Sequence, residues 1–233
     1  MKGDFHKGQI NDLLIMIDVS LSKSFLNPKS VAIIGASADP KKTGSRAQRF
    51  LVSHGYKGKI FPVNPNREEI FGLKCYPDLI SINEHIDHIF FAVDGNKIIE
   101  AIKDAISKKV RCATILSGGF SESGSEGNDL EKQVFKIAKK GGLRILGPNS
   151  IGLINISDNV ILSANAMLEL QNLKKGSLSV ISHSGSLIGA LLAHGHSRGI
   201  GFSKLVSVGN ESDLSVGEIG KMLVNDPNTE SII

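Results

Sequence analysis

The chain repeatedly runs through a short, nearly unbroken apolar segment that stops at small or polar residues and gives way to apolar positions at helical spacing. Ser30-Val31-Ala32-Ile33-Ile34 stops at Gly35-Ala36-Ser37, and Lys59-Ile60-Phe61-Pro62-Val63 at Asn64-Pro65-Asn66. His88–Val93 stops at Asp94-Gly95, Ala113–Leu116 at Ser117-Gly118-Gly119, and Leu143–Leu146 at Gly147-Pro148-Asn149. A strand that is apolar on both pleat faces must be covered on both. Helices between such strands supply the cover, and the connection they make is a right-handed crossover between parallel neighbours. The expected fold class is therefore α/β, a doubly wound parallel sheet.

Ala47, Phe50, Leu51 and His54 predict a helix over about 45–54, ended by Gly55 and Gly58. Pro62 removes a ladder donor, which places the second strand near a sheet edge. Ile98, Ile102 and Ile106 line one later helix. Leu130, Val134 and Ile137 line another, after a loop over 117–128. Residues 156–176 are less periodic and close on Lys174-Lys175-Gly176, the composition of a connection. A second series follows: strand Leu178–Ile181, a helix presenting Leu187, Ile188, Leu191 and Leu192, strand Leu205–Val208, and a helix marked by Val216, Ile219 and Leu223. The expected organisation is an N-terminal extension over 1–26, an α/β domain over 27–156, a linker over 157–176 and a second α/β domain from 177 to 233. The apolar end Ser231-Ile232-Ile233 reads as a strand cut in mid-run, hence the expectation of a piece of a longer protein.

The 27 Lys and Arg against 23 Asp and Glu leave only +4, and the basic residues are scattered. A polyanion binder concentrates its charge, and a base-stacking surface needs aromatics, which are 5% here with no Trp. Small anionic ligands fit better than nucleic acid. Cys75 and Cys112 are far apart and read as free thiols of a reducing, cytoplasmic compartment. The apolar run Leu13–Ile17 is bracketed by Asp12 and Asp18, too short to span a bilayer and without a signal-peptide layout, so no membrane partner is expected.

In an open parallel sheet, ligands gather beyond the carboxyl ends of the strands. There, glycines admit a ligand to the backbone and helix N-termini attract phosphate. The same glycines serve the turns of any doubly wound domain. Gly35-Ala36-Ser37-Ala38 is no Gly-x-Gly-x-x-Gly fingerprint, since the next glycine is Gly44. After the second strand, where a dehydrogenase places an acidic residue for the ribose, stand Asn64, Asn66 and Arg67. NAD is thereby disfavoured; a ligand with a phosphorylated ribose, CoA or NADP, stays open. His54, His85, His88, His194 and His196 form no metal-like constellation, and no metal site is assigned.

Taken in order, Asn27–Ser37, Phe61–Asn66, Gly72-Leu73-Lys74-Cys75-Tyr76, Ser117–Glu122 and Gly147–Gly152 resemble the CoA-binding domain of NDP-forming acyl-CoA synthetases, relatives of the succinyl-CoA synthetase α subunit. Ile181–Ser186, Gly201-Phe202-Ser203, Val206–Asn210 and Asp226-Pro227 resemble the start of that family's succinyl-CoA-ligase domain. The resemblance covers about 25–233. It implies a Rossmann-like CoA domain followed by part of a flavodoxin-like domain. It also implies a CoA ligand: Gly35, Ala36, Ser37, Lys42 and Gly44 around its nucleotide part, with Asn64, Pro65 and Arg67 in the turn beside them. Gly118, Gly119 and Phe120 then lie nearer the pantetheine, and Asn149 and Ser150 near the sulfur. Asp94-Gly95 departs from the family's usual Pro-Ala, and His183 from its usual Gln or Arg.

The activity implied is acyl-CoA + phosphate + NDP ⇌ acid + CoA + NTP, through an acyl phosphate and a phosphohistidine. It uses ADP/ATP or GDP/GTP with Mg2+, an ATP-grasp domain or β subunit as partner, and an oligomeric assembly. His183-Ser184-Gly185-Ser186 matches a phosphate-binding turn at a helix N-terminus, and the same serine atoms would also make a plain N-cap. The catalytic phosphohistidine is expected beyond Ile233, so His183 is expected to neighbour the phosphate. The alternative is a CoA- or acyl-CoA-sensing region of an acetyltransferase-type fusion without ligase activity; an NADP-dependent dehydrogenase is a third reading, for which no hydride-transfer constellation stands in the sequence.

Overall fold

The computed structural model describes residues 18–93 and 95–233, so the run Leu13–Ile17 and Asp94 lie outside the described residues. Helix α1 (Val19–Leu26) precedes a five-stranded sheet of β1 (Ser30–Ile34), β2 (Lys59–Val63), β5 (His88–Phe91), β6 (Cys112–Ile115) and β7 (Arg144–Leu146). Its order is β2-β1-β5-β6-β7, and every pairing is parallel. All carboxyl ends therefore share one edge. β2, with Pro62, lies at one edge of the sheet, where a missing N–H is tolerated, and β7 lies at the other.

Helices α2 (Thr43–Ser53), α3 (Gly95–Ser107) and α4 (Ser125–Gly141) make the crossovers, and a small hairpin of β3 (Glu69–Ile70) and β4 (Leu73–Lys74) follows β2. The pleat divides β1 between two cores. Ala32 and Ile34 pack with Ile98, Ile102, Val134 and Ala138 of α3 and α4, whereas Val31 and Ile33 pack with Ala47 and Leu51 of α2. Each large side chain so buried is worth about 1.5–3 kcal/mol relative to exposure. The expected loop over 117–128 is shorter: a 3-10 turn at Ser121–Ser123 leads straight into α4.

The second sheet has the order β12-β10-β11-β8-β9, formed by β8 (Gly152–Asn155), β9 (Val160–Ser163), β10 (Lys175–Ser182), β11 (Phe202–Ser207) and β12 (Ser231–Ile232). β10 is parallel to β11 and β12, while β8 is antiparallel to both β11 and β9. Helices α5 (Gly185–Ser197) and α6 (Val216–Val224) complete it. The segment 157–176 is therefore not the bare linker expected. Apolar runs on either side of Asp158-Asn159 close as a hairpin, with Asn159 at φ 60° in the turn, and β9 then pairs in the second sheet. Val160 and Leu162 of this hairpin also pack on Val31, Ile33 and Phe90 of the first sheet.

Helix α1 closes the amino-terminal side of the first sheet. Phe25 is fully buried and stacks on His88, whose centroid lies 5.9 Å away. His88 is itself fully buried, with Nε2 2.9 Å from Thr114 Oγ1 and Nδ1 3.4 Å from the Ser24 carbonyl and 3.3 Å from Cys112 Sγ. Burial holds the imidazole down to about 4, against the opposing pull of the Ser24 carbonyl and the Asp87 charge. The residue is a neutral core histidine. No helix among the described residues is long and apolar enough to cross a membrane.

Candidate functional site

The loop after β1 turns at Gly35, φ 82°, where a Cβ would stand 2.5 Å from the Ala92 carbonyl oxygen beyond β5. Gly44, in the first turn of α2, crosses just above: a Cβ there would stand 2.4 Å from the Gly35 carbonyl oxygen. Two glycines thus let the loop fold flat on the strand ends. Between them, Asp39 organises the chain by accepting the Lys41 N–H at 2.9 Å, and Ser37 Oγ accepts the Asp39 N–H at 3.2 Å. Lys42 is the N-cap residue of α2, exposed, and makes no side-chain cap; its carbonyl accepts the Ser45 N–H at 3.1 Å, and among the described residues the Thr43 and Gly44 N–H groups before it stay open to an anion.

Asn64 joins the ends of β2 and β1. Its Nδ2 donates to the Ala36 carbonyl at 2.8 Å, and its Oδ1 accepts the Asn66 N–H at 2.9 Å. Pro65 and Arg67 are exposed in the turn beside it. Asn64 thus ties the loop after β2 to the loop after β1, and the exposed Lys42 and Arg67 flank them.

At the other end of the edge, Gly118 and Gly119 are exposed, but Phe120 is fully buried among the side chains under the sheet. The phenyl ring anchors the loop from below and does not face outward. Glu122 accepts the Gly119 N–H at 2.6 Å and the Phe120 N–H at 3.2 Å, so the loop's own carboxylate occupies these donors. Asn149, in left-handed backbone at φ 55°, is exposed and donates its N–H to the Ser117 carbonyl at 3.0 Å. Ser150 is fully buried; its hydroxyl donates to the Ser207 carbonyl at 2.6 Å and accepts the Gly152 N–H at 3.0 Å. The expected pair therefore separates into one exposed side chain, Asn149, and one internal strut.

The second domain approaches this end through the β11–α6 loop. Gly209, φ 59°, is pressed so closely on the Pro148 carbonyl that a Cβ would stand 2.1 Å from its oxygen. Arg144 binds Asp213 at 2.9 Å and Glu218 at 2.7 Å, fastening β7 to α6. Asn210 reaches Glu122, Ser121, Glu131 and Asn149, and Ser212 donates to Glu131 at 2.7 Å. Burial pushes the Glu122 and Glu131 carboxyls up, but the bonds from Asn210, Ser212 and the loop overcome it and leave both below the usual carboxylate range. Sequence reasoning gave no role to Glu122, Glu131, Asn210 or Glu211. Glu122, three residues after Gly119, has local capping spacing, whereas the others are joined only by the fold.

His183 is exposed and its Nε2 lies 2.7 Å from Glu211 Oε2. The Val216 N–H at 2.6 Å and the His183 contact hold the Glu211 carboxyl below its usual range. Ser184 is the N-cap of α5, accepting the Leu187 N–H at 3.1 Å, so its hydroxyl is in use structurally. Ser186 is exposed on the first turn, next to a cleft of about 390 Å³ that also includes Arg46, Asn165 and Met167. A second cleft, of about 400 Å³ between α1 and α6, is remote from the strand-end loops and has the buried Lys204–Asp226 pair in its wall. Among the described residues no group of three or more His, Cys, Asp or Glu could hold a metal ion.

A parallel sheet whose carboxyl edge gathers glycine loops, a helix start without a side-chain cap and the exposed Lys42 and Arg67 has the form in which open α/β folds receive ligands. Comparison with known families narrows the class: the CoA binding domain matches residues 29–156, and the succinyl-CoA ligase like flavodoxin domain matches 175–233. The chain is 38% identical over 207 residues, 88% of its length, to an ADP-forming acetate–CoA ligase II of Archaeoglobus fulgidus, and covers 30% of that protein. It is 35% identical over 215 residues, 91% of its length, to the ADP-forming acetate–CoA ligase I subunit alpha of Pyrococcus furiosus, covering 46% of it. The acetyl-coenzyme A synthetase 1 of Ca. Korarchaeum cryptofilum, solved with phosphate and ADP, superposes with a TM-score of 0.84 at 34% identity, over 90% of this chain and 44% of that one. The chain belongs to the NDP-forming acyl-CoA synthetase family, through its CoA-binding domain and a succinyl-CoA-ligase-like flavodoxin domain. It spans less than half the length of these relatives.

Proposed function

We propose that this chain is the CoA-binding part of an acid–thiol ligase that runs acyl-CoA + phosphate + NDP ⇌ acid + CoA + NTP. The observation that carries the reading is the meeting of the β1, β2, β6 and β7 loops on one carboxyl edge, in the order in which the family's motifs run. The nucleotide part of CoA lies along Gly35, Ala36, Ser37 and Gly44, its phosphates drawn by the open α2 N-terminus, Lys42 and Arg67, with Asn64 and Pro65 shaping the turn. The pantetheine arm runs past Gly118 and Gly119 to Asn149; Phe120 and Ser150 serve from beneath, as anchors.

Phosphate sits at the start of α5, on the Gly185 and Ser186 N–H groups, with His183 beside it. These residues bind and orient. The phosphohistidine, the nucleotide, as ADP/ATP or GDP/GTP with Mg2+, and the ATP-grasp domain or β subunit are assigned to the complete, oligomeric enzyme in the cytoplasm. The separate alpha subunits of the Pyrococcus relatives support a division of this kind. The test is turnover: this chain in a complete ligase should form NTP from acyl-CoA, phosphate and NDP and by itself should form none. A complete protein that binds CoA yet forms no NTP from any acyl-CoA supplied would overturn the ligase reading.

A further inference from the structure

The amide of Asn210 stands where the two domains and both sulfur-side loops meet. It comes from the second domain, on the loop after β11, which is pinned by the Asn210 N–H to the Pro148 carbonyl at 2.9 Å and the Ser212 N–H to the Gly147 carbonyl at 3.2 Å. Its Nδ2 donates to Glu122 Oε2 at 2.6 Å, with Ser121 Oγ at 3.4 Å and Glu131 Oε2 at 3.5 Å, while its Oδ1 lies 3.5 Å from the Asn149 Nδ2. The other oxygen of Glu122 accepts the Gly119 and Phe120 N–H groups. One side chain is thus bonded to the carboxylate that shapes the glycine loop and faces the exposed amide of the neighbouring turn. Among the described residues the Gly118 N–H has no partner, which leaves it as the loop's open donor.

We propose that Asn210 is a positioning residue for CoA: through Glu122 and Asn149 it fixes the Gly118–Phe120 loop and the Asn149 turn in the arrangement that receives the pantetheine arm. The proposal rests on the CoA reading given above. Its physical content is preorganisation. Two short loops held before the ligand arrives spare the complex the entropy of ordering them. Two carboxylates, Glu122 and Glu131, converge on one amide, whose N–H groups can donate to both. An acid at position 210 would put a third negative charge among them.

The test is a double-mutant cycle on the 233-residue chain, read by calorimetric titration with CoA and by thermal unfolding. Asn210→Ala and Glu122→Ala should each weaken CoA by about tenfold, the cost of one charge-assisted hydrogen bond in a partly exposed setting. The double variant should be no weaker than either single one, since both act through the same loop. Asn210→Asp should lose more than Asn210→Ala, and high salt should narrow that gap. Lower melting temperatures with CoA affinity unchanged in all variants would reduce Asn210 to an interdomain fastener and overturn the proposal. Losses that simply add would overturn it as well. A wild-type chain that is folded and takes up no CoA would instead overturn the CoA reading on which the proposal stands.

Discussion

Replacing His88 should remove a specific part of the protein's sensitivity to acid. The imidazole is fully buried between Phe25 of α1, Cys112 and Thr114, and burial lowers its pKa to about 4, from an ordinary value of 6.5. Folding therefore demands the neutral ring, whereas the unfolded chain takes up a proton below about pH 6.5. Stability is full above that value and is lost as pH falls toward 4. Linkage puts the whole loss at about 3 kcal/mol, of which about 2 kcal/mol falls between pH 7 and pH 5. Urea unfolding at those two pH values, on the wild type and on His88→Gln, is the assay. The variant starts lower, having a less well-filled site, but should lose about 2 kcal/mol less across the interval. Carboxylates common to both proteins cancel in that difference. If the two proteins lose the same amount, the depressed histidine and its part in docking α1 are refuted.

Other substitutions separate anchoring from binding. Phe120→Ala should cost about 3–5 kcal/mol in urea unfolding, the effect of a cavity in a core, because its ring lies under the sheet. Gly44→Ala puts a methyl against the Gly35 carbonyl; it should cost about 1–3 kcal/mol of overpacking, seen as a lower melting temperature, and weaken CoA through the displaced loop. Lys204→Met leaves the nearly buried Asp226 without its partner and should cost about 3–5 kcal/mol, with Asp226→Asn in the same chain restoring part of it in urea unfolding. Incubation of the chain with labelled NTP should put no acid-labile phosphate on His183, which is already engaged with Glu211; phosphate found there would move the nucleophile into this chain.

The first sheet was legible because its strands are buried on both faces. Continuous apolar runs such as His88–Phe91 and Cys112–Ile115 leave no doubt about a covered parallel strand, and Pro62 marks the edge by what it lacks. The β8–β9 hairpin was missed for the opposite reason. Its runs are short, its partner β11 lies about fifty residues later, and Asp158-Asn159 between them was a local signal easily taken for a linker. In the site, the backbone features were readable: Gly35, Asn64 and Gly119 stand in the loops at strand ends, and Gly44 in the first turn of the helix that follows β1. Side-chain direction was not. Phe120 and Ser150 sit in the same motifs as exposed neighbours, yet one enters the core and the other braces β8 against β11. The polar junction of Glu122, Glu131 and Asn210 unites positions nearly ninety residues apart, and no local pattern announces it.

Calorimetric titration of the folded 233-residue chain with CoA tests the central claim most directly. The account predicts saturable one-site binding that weakens with salt, and weakens again when Lys42 or Arg67 is replaced by Ala, since free cations and helix N–H groups hold the phosphates. Absence of binding at millimolar CoA, with folding verified on the same sample, would contradict it.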